Sequence, residues 1–333
     1  MLDGILSAVG HTPLVRLSKV LADINFKLYA KLEALNPGGS MKDRPAISII
    51  FHGFETGEIG PDTIIIESSS GNMGIGLAQA CSYLGLRFIC VVDPKTTSQN
   101  LKLLKAYGAE IDLVPEPDPA TGEFLKGRLD RVEYLLKTTE NGFWPNQYAN
   151  QYNPLAHYQT MHEIVEALDG SLDYIFCATS TCGTLRGCAE YVRKHNLRTK
   201  VMAVDALGSV IFGGASAKRL IPGHGAGVRP ALFQPDLADS YLLVSDLDCI
   251  IGCRRLARRE AILAGGSSGA IIRAVELAKD KIEDGATCVV ILPDRGERYL
   301  ETIYSDEWVL EHFGKVSYLW ENSAEAQTCT ATY

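Results

Sequence analysis

Short β-branched runs alternate with amphipathic stretches along most of this chain. Apolar runs at 27–33 (KLYAKLE), 63–68 (TIIIES), 87–93 (RFICVVD), 110–114 (EIDLV), 173–178 (DYIFCA), 200–206 (KVMAVDA) and 287–293 (TCVVILP) have the length and residue types of strands. Segments at 72–84, 97–107, 183–195 and 269–283 carry apolar residues at helical spacing, and most of them follow a strand. Such alternation predicts parallel sheets covered by helices on both faces. The strands fall into two groups, before and after about residue 150, which predicts two α/β units with a cleft between them. No internal repeat or low-complexity linker interrupts the pattern. After Trp320 the chain turns small and polar, and 321–333 is expected to be a disordered tail.

Composition narrows the class. A chain of 333 residues with 46% hydrophobic and 22% charged residues has the makeup of a soluble protein with one large or two modest cores. A net charge of −8 argues against a nucleic-acid groove, which needs a basic surface. No apolar run is long enough to span a bilayer, and MLDGILSAVG lacks a basic n-region, so cytoplasmic residence is expected. The nine cysteines fall mostly inside apolar runs (Cys90, Cys177, Cys288) and read as small buried hydrophobes. Cys249 and Cys253 form the one close pair, without a second pair near it, so no metal site is expected.

Ligands of parallel α/β sheets sit where strands feed helix N-termini, and four glycine-rich junctions of that kind stand out. SSSGNMGIG (68–76) has glycines spaced G-x-x-G-x-G, not the G-x-G-x-x-G of a dinucleotide fold. Its hydroxyls and exposed amides suit a carboxylate or another small anion. TSTCGTLRG (179–187) offers hydroxyls and a helix start without a P-loop lysine, which suits a monophosphate over a triphosphate. AGGSSGA (264–270) and PDRGERYL (293–300) complete the set. Taken singly, each junction reads first as a capped helix start or a tight turn. A fifth segment, NPGGSMKDRPA (36–46), sets a lone lysine, Lys42, after a glycine pair at the start of a helix.

In this order and at these spacings the segments resemble the fold type II pyridoxal-phosphate enzymes of the cysteine synthase and cystathionine β-synthase group. NPGGSMKDR is similar to the family's lysine motif, SSGNMG to its substrate-carboxylate loop, STCGT to its phosphate loop, GHGAG to a further glycine loop and GGSSGA to its pyridine-nitrogen motif. The similarity runs from HTPLVRL (11–17) to about residue 304. It implies an α/β architecture of two open-twisted parallel-sheet domains, similar to the tryptophan synthase β-subunit, with the cofactor in the cleft. A larger domain would comprise 1–45 plus 150–320 and a smaller, mobile domain 46–149. Within the group, SMKDRPA, NQYAN (146–150), VDALGSVIFGG (204–214) and LPDRGERYL (292–300) resemble the siderophore branch. That branch joins O-phospho-L-serine to L-glutamate through an aminoacrylate. Its product is N-(2-amino-2-carboxyethyl)-L-glutamate, a precursor of 2,3-diaminopropionate in staphyloferrin B biosynthesis.

The resemblance implies a role for each matching residue. Lys42 would bind the aldehyde of pyridoxal 5'-phosphate and, once freed, act as general base at the substrate Cα. Burial suits it to this task by lowering the amine pKa. Asn72 would meet the ring hydroxyl, Ser180, Thr181, Cys182, Gly183 and Thr184 the phosphate, and Ser267 the pyridine nitrogen. A neutral hydroxyl there makes the ring a weaker electron sink and favours β-elimination. Ser69, Ser70, the amides of Gly71, Asn72 and Met73, and Gln147 would hold the substrate carboxylate. Met73 stands where the family usually has threonine, so a side-chain hydroxyl is lost. Arg128, Tyr148 and Ser180 are candidates for the phosphate of phosphoserine, although Arg128, beside Lys126 and Arg131, fits a solvated basic face equally well. Arg229 is a candidate for a glutamate carboxylate, or a surface arginine. A homodimer is expected.

A cysteine synthase using O-acetylserine or O-phosphoserine with sulfide is the alternative within the class. A paralogue that holds the cofactor without catalysis is a second, and a dinucleotide-binding oxidoreductase a third that the glycine spacing disfavours. The absence of a heme-ligating Cys–His extension and of a C-terminal regulatory stretch disfavours cystathionine β-synthase.

Overall fold

The computed structural model describes residues 4–118 and 124–321. Among these residues, ten strands build two sheets. The four-stranded sheet holds β3 (Ile64–Ser68), β4 (Arg87–Val92), β5 (Glu110–Leu113) and β6 (Gly142–Phe143), in the order β5-β4-β3-β6 and parallel throughout. The six-stranded sheet is drawn from the chain on either side. It holds β1 (Leu14–Leu17), β2 (Lys27–Leu32), β7 (Tyr174–Ala178), β8 (Lys200–Ala206), β9 (Ser240–Val244) and β10 (Thr287–Leu292), in the order β1-β2-β10-β7-β8-β9.

Seven strands stand within one residue of the limits expected from the apolar runs. Three were not foreseen: β1, β6 and β9. One pairing departs from the expected parallel pattern, because edge strand β1 runs antiparallel to β2, Leu14 opposite Lys31. Only residues 18–26 connect them, and a parallel return needs about a dozen or more.

Among the described residues, nine helices of eight residues or more flank the sheets: α1 (Asp43–Thr56), α2 (Asn72–Leu84), α3 (Ser98–Ala106), α4 (Phe124–Thr138), α5 (Tyr152–Ala167), α6 (Gly183–Lys194), α7 (Asp246–Glu260), α8 (Gly266–Ala278) and α9 (Asp306–Phe313). The buried strand β10 shows how both faces are used. Cys288, Val290 and Leu292 pack with Ile250, Leu256, Ile271 and Val275 of α7 and α8, whereas Val289 and Ile291 pack with Met161, Ile164 and Leu185 of α5 and α6. A strand covered on both faces must be apolar at successive positions, hence the continuous TCVVIL. In the smaller sheet, Ile65, Phe88 and Cys90 face α1 and α2, and Ile66 and Val91 face Val132 of α4.

α8 begins three residues earlier than its apolar spacing predicts and ends at Ala278. Its glycines permit this: a Cβ on Gly269 would lie 1.9 Å from the Cys249 carbonyl, and one on Gly252 2.1 Å from the Gly269 carbonyl. α7 and α8 thus touch backbone to backbone, and GSSG becomes the first turn of the helix instead of a loop before it. Cys249 and Cys253 lie buried in this contact, where Cys253 Sγ reaches the Gly265 carbonyl at 3.1 Å. Among the described residues no helix is long and apolar enough to cross a membrane. The expected tail lies outside the described residues apart from Glu321, which ends a short helical turn, α10 (Tyr318–Glu321).

Candidate active site

The carboxyl ends of β3, β7 and β10 feed the loops that the sequence singles out, and the lysine loop joins them there. Ser40 pairs with Asp294 just after β10, and Met41 N donates to the Pro293 carbonyl at 2.8 Å. Lys42 immediately precedes α1. A Cβ on Gly76 of α2 would lie 3.1 Å from the Lys42 carbonyl, so α2 rests against the lysine's backbone. Burial lowers the Lys42 amine from 10.5 to about 8, while the nearby Asp294 and Cys182 pull the other way. The amine is then a competent nucleophile and base near neutral pH.

Two residues further on, Arg44 anchors the loop in a buried charge cluster. Its guanidinium donates to Glu33 at 2.7 and 2.8 Å and to Glu163 through two bonds of 2.7 Å, and Lys31 Nζ reaches Glu163 at 2.6 Å. The cluster ties the start of α1 to β2 and α5, with all four groups less than one-tenth exposed.

The phosphate candidates sit at the start of α6. Thr181, Cys182, Gly183 and Thr184 are buried and Ser180 is half-buried. Cys182 occupies the N-cap position in the left-handed region (φ 65°) and makes no side-chain cap bond. Three helices are capped in the ordinary way: Thr97 accepts from Asn100 N, Ser245 forms a capping box with Asp248, and Ser305 accepts from Trp308 N. The N-cap residues of α1, α2, α5, α6 and α8 make no such bond. For α8 the capping explanation of the hydroxyls therefore fails, and at α6 it is met only by Thr181 Oγ1, which accepts from Gly183 N at 3.4 Å. A buried, uncapped helix start leaves amides in need of an acceptor, which an anion supplies.

At the 68–73 loop the hydroxyls divide their work. Ser69 Oγ accepts from Gly74 N at 2.9 Å and so serves the start of α2, and Asn100 Nδ2 holds the Ser70 carbonyl at 2.9 Å. Met73 is 2% exposed and its side chain joins the core of the smaller sheet, so only its amide is left to offer a ligand. Gln147 faces this loop, with Nε2 donating to the Ser68 carbonyl at 3.3 Å. Sequence reasoning missed what binds the two segments together. The buried Glu67 carboxylate accepts from Ser68 N at 2.8 Å, Gln147 N at 3.2 Å and Trp144 Nε1 at 3.2 Å. Burial pushes its carboxyl up to about 7, against the pull of these donors and of Arg128.

Arg128 does not lie on a solvated basic face. Its side chain is 11% exposed and Nε stands 3.2 Å from Asp93 Oδ2. Its neighbours pair outward, Lys126 with Asp130 and Arg131 with Asp112. Tyr148 shares the electrostatic neighbourhood of Arg128 and Glu67, and burial raises its hydroxyl. Arg229 is exposed, donates Nε to the Ile211 carbonyl at 3.1 Å and stacks over Phe233. The glycine loop before it is fastened by Gly225 N to the Thr179 carbonyl, next to Ser180. Ser267 is half-buried in the first turn of α8, and Asn72 opens α2, donating to Asp294 Oδ2 at 2.8 Å.

Comparison with known proteins fits this arrangement. The family model described as pyridoxal-phosphate dependent enzyme matches residues 5–294. The chain is 30% identical to O-ureido-L-serine synthase, over 93% of this chain and 99% of that one, with a TM-score of 0.85. It is 32% identical to an O-acetylserine-dependent cystathionine β-synthase from Helicobacter pylori, over 92% and 99%, with a TM-score of 0.85. It is 35% identical to O-acetylserine sulfhydrylase isoform 3 from Entamoeba histolytica, over 91% and 92%, also at 0.85.

The residues present fit pyridoxal phosphate: an amine lowered to about 8 for its aldehyde, the amides at the buried start of α6 for its phosphate, and the Ser267 hydroxyl for a neutral ring nitrogen. When bound, that cofactor supplies an electron sink for bonds at the substrate Cα and Cβ. Motif order, helix starts and family match agree, and the chain belongs to the pyridoxal-phosphate-dependent enzymes that carry out β-replacement on amino acids.

Proposed function

We propose that this enzyme replaces the phosphate of O-phospho-L-serine by the amino group of L-glutamate. The products are N-(2-amino-2-carboxyethyl)-L-glutamate and inorganic phosphate, the former a precursor of 2,3-diaminopropionate for siderophore assembly. The substrate carboxylate takes the amides of 71–73 with Ser69, Ser70 and Gln147. Lys42, neutral above about pH 8, removes the Cα proton as phosphate departs from Cβ. Ser180, Tyr148 and Arg128 receive the departing phosphate. The glutamate amine then attacks Cβ, and Lys42 returns its proton to Cα. Closure of the smaller domain (46–149) over the larger (1–45 plus 150–320) excludes water during the exchange. A homodimer belongs to the same proposal and is supported by exposed apolar side chains on α1 and α5, Phe51, Phe54 and Leu155.

One observation carries the choice of an anionic amino-acid nucleophile over sulfide. Among the described residues, Arg229 has no acceptor at its terminal nitrogens, and it follows the glycine loop fastened beside Ser180. A guanidinium so placed matches a glutamate carboxylate with its two-pronged fork, which a single-atom nucleophile such as sulfide does not need.

Cysteine synthase chemistry, O-acetylserine with sulfide, is the second reading. It is favoured by the pairing of Arg128 with Asp93 beside Glu67, since a phosphate dianion would have to displace an acid already there. The two readings separate in one titration of the holoenzyme. O-phospho-L-serine and O-acetyl-L-serine are added in parallel, then L-glutamate or sulfide, following the visible absorbance and phosphate release. The proposal requires that phosphoserine change the spectrum and that glutamate restore it with release of phosphate. A response to acetylserine and sulfide alone would establish the second reading.

A further inference from the structure

Asn72 is held at both ends of its amide from across the cleft. It opens α2 over the four-stranded sheet, whereas Asp294 and Arg298 follow β10 of the six-stranded sheet. Asn72 Nδ2 donates to Asp294 Oδ2 at 2.8 Å, and Asn72 Oδ1 accepts from Arg298 Nη1. A carboxylate needs a donor and a guanidinium needs an acceptor, so this pair dictates which end of the amide is nitrogen. Their own positions are set in turn. Tyr299 Oη donates to Asp294 Oδ2 at 2.6 Å, and Arg298 Nη2 donates to the Gly38 carbonyl of the lysine loop. The Asp294 backbone pairs with Ser40 and accepts from Gly265 N at 3.1 Å, just before Ser267.

We infer that Asp294 and Arg298 are positioning residues that orient the Asn72 amide for the cofactor and latch the two sheets together at the cleft. An amide nitrogen carries two N–H groups. One goes to Asp294, and the other remains for the ring oxygen of pyridoxal phosphate. Turned over, the amide would present a carbonyl to that oxygen and repel it. Asp294 is 1% exposed, with Lys42 and Arg298 the cations that face it, so the latch also joins the lysine loop to the start of α2. The inference goes beyond the proposed reaction, because it holds whichever leaving group and nucleophile the enzyme uses. It rests on Asn72 meeting the ring oxygen.

A double-mutant cycle on cofactor affinity tests it. Asn72→Ala, Arg298→Gln and the combined variant are stripped of cofactor, and the dissociation constant of pyridoxal phosphate is measured by equilibrium dialysis. Thermal unfolding of each apoprotein checks the fold. Each single change should weaken binding about tenfold, the size of one lost charge-assisted bond, and the double variant should bind no more weakly than the weaker single. Losses that multiply to about a hundredfold, or an Arg298→Gln protein that binds as wild type, would overturn the inference. If Arg298→Gln does not fold, Tyr299→Phe replaces it. Its weakening should be a few-fold when Asn72 is intact and absent when combined with Asn72→Ala, and an equal effect in both would refute the latch.

Discussion

Glu163→Gln removes one of the two negative charges from the cluster beneath the lysine loop. Glu163 accepts from Arg44 Nη1 and Nη2 at 2.7 Å, from Lys31 Nζ at 2.6 Å and from His11 N at 3.1 Å. With the amide in place, two cations that are 3% and 4% exposed are left with Glu33 as their buried anion. Removing one partner of a buried pair costs about 3–5 kcal/mol. A second route gives a similar figure. Burial by itself would raise the Glu163 carboxyl, but the bonds and charge of Arg44, then Lys31, override it and hold it near 2 against an ordinary 4.5. A depression of that size is worth about 3 kcal/mol, at about 1.4 kcal/mol per tenfold change. Because the folded value lies below the unfolded one, this stability is complete above pH 4.5 and is lost as pH falls from 4.5 towards 2. The variant apoprotein should therefore be about 3 kcal/mol less stable at pH 7, with the gap closing below pH 4.5. Denaturant unfolding monitored by tryptophan fluorescence, at pH 7 and at several values below 5, measures both. A loss under about 1 kcal/mol at pH 7, or a gap that does not change with pH, would refute the reasoning.

Three more outcomes are expected. Capture of pyridoxal phosphate by the apoprotein should accelerate with pH and level off above about 8, where Lys42 is neutral; in stopped-flow absorbance, a rise continuing to pH 10 would contradict the lowered amine. Gly183→Ala places a Cβ 2.1 Å from Asn153 Oδ1, and Asn153 also donates to the Gln147 carbonyl and Thr181 Oγ1, so cofactor affinity should fall at least about tenfold by dialysis. Wild-type affinity in that variant would mean the 180–184 loop does not hold the phosphate. Met73→Thr, which adds a hydroxyl to the candidate carboxylate loop, should cost about 2–4 kcal/mol of apoprotein stability, because it empties a core site and buries a polar group. An unchanged unfolding midpoint would show that Met73 does not serve the core.

The doubly covered strands were legible because burial on both faces forces apolar residues at successive positions, as in TCVVIL. β1, β6 and β9 were not, because each is short or at an edge, with half-exposed residues and no periodic signature. The start of α8 was hidden by its own chemistry: glycine and serine read as a turn, and only the backbone contact with α7 makes them helical. Lys42 was legible through its setting of glycines and order of motifs. Glu67, Asp294 and Arg298 were not singled out, since their roles depend on partners 80, 222 and 226 residues away in sequence. Arg128 looked like part of a basic face because Lys126 and Arg131 share its helix, but the fold turns it towards Asp93 while the other two pair with acids of their own.

The starts of α6 and α8, where the N-cap residue makes no side-chain bond, bear on how this enzyme tolerates change. Groups that would grip an anion there are main-chain amides, which every residue but proline supplies. Side-chain identity at such positions can drift, as a cysteine at φ 65° in the candidate phosphate loop illustrates, provided that the backbone path survives. Where an added Cβ would invade a neighbour, as at Gly183, no drift is possible. A saturation library across 180–184 should therefore divide into near-neutral and inactive variants with few between, the division following backbone geometry and not polarity.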